Sequence, residues 1–172
     1  MYPRYIQQAL EGAKYHENLA FSFAHPRMHK YNQSAFHLRA YFWELWSVWD
    51  YILQQVNSET LKLDPGRVRR DLLEKLKRKC PNYKYLKDLE EIQENDRLIR
   101  IKLIRDYAHK WQIDPYLIDY HGSIVNVICL NNLDAKDKKL PRQINIDRND
   151  LWFMENVVKT LSEKGFFKGK KS

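Results

Sequence analysis

A chain of 172 residues, 44% hydrophobic and 30% charged, has the balance of one globular domain and can bury a core without disulfide or metal staples. No apolar run approaches the roughly 18 residues that span a bilayer, the first residues lack the apolar stretch of a signal peptide, and Cys80 and Cys129 are too isolated for a disulfide framework or a zinc site. The net charge of +8 is unevenly placed: Arg67 to Lys87 holds nine Lys and Arg against Asp71 and Glu74, and the last nine residues hold four lysines and no acid.

These totals predict a cytoplasmic protein with no membrane partner. Concentrated positive charge attracts polyanions, nucleic acid first. A solvated helix face that only aids solubility is the plain alternative.

In chain order, residues Tyr5 to about Phe23 read as a first helix with Ile6, Leu10, Ala13, Leu19, Ala20 and Phe23 on its apolar face, stopped before Pro26. His16, His25, His29 and His37 lie in or near this region and raise the question of metal ligation. His25 and His29 have the i, i+4 spacing that presents two imidazoles together, but Pro26 stands where a glutamate belongs and disfavours a helical turn there. The expectation is no metal and no cofactor.

Ser34 to Asn57, SAFHLRAYFWELWSVWDYILQQVN, is the segment on which the fold turns. Leu38, Phe42, Leu45, Trp49, Ile52 and Val56 recur at helical spacing, and Phe36, Ala40, Tyr41, Trp43, Trp46, Val48 and Leu53 widen the apolar surface. A helix apolar on most sides is surrounded by other helices. Ser34 is the expected cap, and the rod is roughly 35 Å long at about 1.5 Å per residue.

Asp64-Pro65 reads as a helix start, with the helix running to about Lys79 and stopped by Pro81. Val68, Leu72, Leu73 and Leu76 line its buried side. Arg67, Arg69, Arg70, Lys77, Arg78 and Lys79 make the candidate nucleic-acid-binding patch. A helical segment follows from Asn82 to Gln93, then a kink or new cap at Asn95-Asp96, then a helix from Arg97 to Trp111 closed by Asp114-Pro115. The β-branched run from 123 to 130 reads as a strand that RQINI, 142 to 146, could pair with. A short helix from Ser123 fits nearly as well. Asp147 is the expected cap of a last helix that buries Leu151, Met154, Val157, Val158 and Leu161 and ends at Gly165. Residues 164–172 form a basic tail. The whole is one mostly α, helical-bundle domain over 1–172, with room for one small hairpin near 123–146.

Arg105 and His109 are four apart, hence on one helical face one turn apart. Arginine offers a planar fork of donors to phosphate, and histidine exchanges protons near neutral pH. RNA carries its own nucleophile in the 2′-hydroxyl, so cleavage needs a base, an acid and positive charge on the phosphorane, without a metal. One such pair is part of that machinery, and a twofold dimer facing two pairs would complete it.

The segment RDYAHK near the end of an inner helix, preceded by LRAYFWELWSVWDYILQQVN, resembles the HEPN domains, whose signature is an arginine, a polar residue and a histidine a few positions on. That resemblance, over roughly residues 34 to 111, implies a helical bundle that dimerises at the signature and either cleaves RNA without metal or only binds nucleotides or RNA. It implies Arg105 and His109 as catalytic residues with Asp106 as the polar residue, and it allows a cognate antitoxin or other partner protein. Three residues separate Arg105 from His109, a shorter gap than the family usually has.

Lys110 is expected to support the site by steering substrate. The structural alternative binds Arg105 to Asp106, Asp96 or Asp114. A non-catalytic nucleic-acid module and a protein-interaction scaffold are the rival functions.

Overall fold

The computed structural model describes residues 2–22, 31–68, 71–110, 114–120, 123–129, 143–145 and 149–167. Its elements in order are α1 (Arg4–Ser22), α2 (Tyr31–Glu59), a 3-10 turn (Pro65–Arg67), α3 (Leu72–Lys79), α4 (Leu86–Gln93), α5 (Asp96–Lys110), β1 (Asp114–Tyr120), β2 (Ser123–Cys129), β3 (Gln143–Asn145) and α6 (Asn149–Glu163). The helices form the expected bundle around α2. Among the described residues no helix is long and apolar enough to cross a membrane.

The stripe read from the rod is the centre of the molecule: Leu38, Phe42, Leu45, Trp49, Ile52 and Val56 are all buried, together with Tyr41, Trp46, Val48 and Leu53. Each large side chain so buried contributes about 1.5–3 kcal/mol of transfer free energy. Of the wider apolar set, Phe36 and Trp43 are exposed and Ala40 is half-buried. Helix α1 runs antiparallel to α2, because Tyr5 bonds Gln55, Gly12 packs on Glu44, His16 meets His37 and Ser34 bonds Ala20. Helix α5 covers another side of α2 with Leu98, Ile101, Ile104, Tyr107 and Ala108, and α6 buries Leu151, Met154, Val157, Val158 and Leu161.

Helix α6 ends as its glycine requires. Gly165 has φ 84°, its N–H bonds the Ser162 carbonyl, and the Phe166 N–H bonds the Leu161 carbonyl. This is a Schellman ending, closed by burial of Phe166 with Leu161. Asp147, its expected cap, lies outside the described residues.

The structure corrects several local expectations. Ser34 is not a cap but lies one turn inside α2, where its hydroxyl donates to the Ala20 carbonyl at 2.9 Å and ties the two helices together. Asp64 does cap, accepting from the Gly66 N–H at 2.8 Å, yet what it starts is a single 3-10 turn that Val68 ends in an extended conformation. Helix α3 therefore begins only at Leu72. The segment before α4 is a set of turns, so α4 is shorter than the expected 82–93. Asn95 settles the next junction as a new start, accepting from the Arg97 N–H at 2.9 Å.

The region after α5 is a three-stranded antiparallel sheet in the order β1-β2-β3. The pairing of β2 with β3 matches the hairpin reading, with Ile128 opposite Ile144. Strand β1 was not anticipated. Asp114 and Pro115, read as a helix stop, open a strand whose Pro115 faces Ile128. Proline is tolerated there because, among the described residues, β1 is an edge strand with no second ladder to feed. The expected loop from Asn131 to Pro141 lies outside the described residues.

Candidate nucleic-acid interface

Helix α5 carries both members of the candidate pair, and its seam with α2 fixes one of them. Trp43, Trp46 and Asp50 recur on α2 at steps of three and four, so they form one stripe facing α5. The Arg105 guanidinium lies over that stripe, 5.3 Å from the Trp43 ring centroid and 5.0 Å from that of Trp46. A cation at this range over an indole face is held by the ring quadrupole.

Arg105 Nη2 also bonds Asp106 Oδ1 at 3.0 Å, and Lys102 Nζ donates to the other oxygen of Asp106. The Arg105 side chain keeps 20% of its surface. Its Nε is buried and meets no hydrogen-bond partner among the described residues. Desolvation at the seam raises the Asp50 carboxyl above its ordinary value, against the lowering pull of Arg105 and a hydrogen bond from Trp46. Lys102 and Arg105 thus face Asp50 and Asp106, and the cluster is near charge balance.

His109 and Lys110 are the last residues of α5, His109 one helical turn beyond Arg105. Their side chains lie outside the described residues. The arrangement places a fixed, planar cation beside Trp43, a residue still 39% exposed. Chemically it offers an ionic contact and a stacking surface side by side.

The basic patch is divided. Lys77, Arg78 and Lys79 form the last turn of α3, Arg67 belongs to the 3-10 turn, and Arg69 and Arg70 lie outside the described residues. Packing of α4 on α3 brings an acid the local sequence count leaves out, Glu90, which Lys77 bonds at 3.0 Å, while within α3 Arg78 lies 3.6 Å from Glu74. An open groove of about 580 Å³ next to α3 is lined by Asp71, Glu74 and Glu94 among others. A second, of about 670 Å³, runs between α1 and α6. Neither is lined by Arg105.

Two features went unread in the sequence. Asp50 is legible only as the next step of the Trp43–Trp46 stripe. The other is a buried ionic knot between α5 and α6, where Asp150, fully buried, accepts from Arg100 Nη2 at 2.8 Å and lies 3.6 Å from Arg97. Burial first, then Asp150 and Glu17, push the neighbouring Tyr41 phenol above its usual range. This knot joins helices, and it explains why α5 carries arginines amid its apolar positions.

Comparison with family models, with curated proteins and with solved structures finds no match to this chain.

Proposed function

We propose that the chain is an RNA-acting helical domain of HEPN type that works in the cytoplasm as a homodimer through the C-terminal half of α5. The observation that supports this reading is the Arg105 guanidinium held over the rings of Trp43 and Trp46, with Trp43 still partly exposed. A nucleotide offers a phosphate to the first and a base to the second. Phosphate displaces Asp106 from the fork, and Lys102 stays beside it to keep Asp106 paired. RNA is favoured over DNA because its 2′-hydroxyl supplies a nucleophile.

For cleavage, His109 takes the 2′ proton while Arg105 meets the charge growing on the phosphorane. A second copy across a twofold axis supplies the second imidazole for the leaving oxygen. Lys110 and the α3 lysines steer rather than clamp.

A non-catalytic RNA- or nucleotide-binding module is the second reading. The carboxylate already on Arg105 favours it. Incubating single-stranded RNA with the native chain in chelator, beside Arg105→Ala and His109→Ala, separates the two. Cleavage lost in both variants with folding retained supports the first. Salt-sensitive binding with no product supports the second, and neither binding nor product sinks both.

A further inference from the structure

We propose that His16 and His37 form a proton-storing latch between α1 and α2, closed by one shared proton and opened when both rings carry charge. Their Nδ1 atoms are 2.9 Å apart, and the rings are tilted by 32° with centroids 5.2 Å apart. The centroid separation exceeds the nitrogen separation by about two imidazole radii, so both nitrogens lie on the line joining the rings. That is the geometry of a straight N–H···N bond. A chelated ion would instead sit off that line, at the apex of two bonds of about 2.0–2.1 Å.

In the neutral pair, one ring donates its Nδ1–H and the other accepts. The first added proton enters at the outer Nε2 of the donor ring, leaves the bridge intact and makes it charge-assisted. The second must go onto the accepting Nδ1. Two N–H groups then face each other across 2.9 Å, and the bond is lost. The pair therefore takes its protons in two separated steps that belong to both rings.

The surroundings fit this role. The exposed Tyr15 and Phe36 rings stand edge-on to the pair, Tyr15 5.3 Å from His16 and Phe36 5.3 Å from His37. On α1 the next charged group, Glu17, acts on Tyr41 in the core, and on α2 Glu44 lies further along the seam against Gly12. Burial lowers the His16 imidazole; burial and then the charge of His16 lower that of His37. With folded values below the unfolded 6.5, the folded chain binds fewer protons there. The stability contributed by the pair is thus complete above 6.5 and falls as pH drops through the folded values, the bridge itself breaking at the lower step. One turn away, the Ser34–Ala20 bond is a second tie that does not titrate.

The test is a side-chain imidazole NMR titration of the full chain from about pH 8 to about pH 4 in chelator, with His16→Gln and His37→Gln for assignment. The latch predicts two steps more than about one pH unit apart in the native chain, and for the ring left in either variant a single step that lies above the lower native one. Amide exchange in α1 between Gly12 and Ala20, corrected for intrinsic rate, should rise about tenfold below the second step. Two rings that titrate together and ignore loss of the partner would overturn the shared proton. Unchanged exchange would overturn the opening. Equimolar Zn²⁺ that moves both Nδ1 resonances and abolishes the titration would give the pair to a metal instead.

Discussion

Replacing Asp106 with asparagine should strengthen RNA binding, although it removes two ion pairs. Asp106 sits 3.0 Å from Arg105 and also bonds Lys102, so its charge cancels the field a phosphate needs at the fork. Two unit charges about 4 Å apart interact by about 1 kcal/mol in water and about 4 kcal/mol at an effective dielectric of 20. Arg105 and Asp106 keep 20% and 38% of their side-chain surface, between those limits. A phosphate on the fork would lie further from the carboxylate and be screened by salt, which brings the gain to about 1 kcal/mol, roughly fivefold in affinity. Loss of the partly exposed pairs costs no more than about 1 kcal/mol of stability. Fluorescence anisotropy with a labelled single-stranded RNA across a salt series measures the effect. Unchanged or weaker binding at an unchanged melting temperature would refute the reasoning, because Arg105 would then be a structural partner of Asp106 and no more.

Other outcomes follow from the packing. Asp150→Asn should cost about 2–3 kcal/mol, below the about 3–5 of a fully sealed pair because Arg100 and Arg97 keep some solvent, and urea midpoints at constant m-value would show it. Gly165→Ala forces a side chain to φ 84° and should lower stability by about 1–2 kcal/mol, read from the thermal midpoint. Trp49→Ala removes one of the largest buried side chains and should cost about 3–5 kcal/mol with loss of near-ultraviolet dichroism.

The helical core was legible because its signal is local. Every position of the Leu38-to-Val56 stripe is buried, as are the five inward residues read from α6. Strand β1 was hidden because Asp-Pro punctuates helices and edge strands alike, and only pairing with β2 tells them apart. The basic helix was overextended because a proline-capped start looks the same whether three residues follow it or fifteen. Its charge was overstated because Glu90 arrives from the next helix.

At the candidate site, the helical register of Arg105 and His109 could be read directly. What surrounds Arg105 could not. Trp43, Trp46 and Asp50 come from a helix more than fifty residues earlier, and only the rotation of α2 against α5 brings them to the guanidinium. The same limit hid His16 opposite His37. His25 and His29, whose i, i+4 spacing is legible, lie outside the described residues, whereas the His16–His37 contact depends on two helices running antiparallel.

The claim that the end of α5 is the surface that meets RNA is tested most directly by titrating a short single-stranded RNA into isotope-labelled chain in chelator and following the amide and indole resonances. The largest shifts are expected from Lys102 to Lys110 and at the Trp43 indole, fading as salt is raised. Shifts confined to α3, or none at RNA concentrations that saturate other single-strand binders, would contradict it.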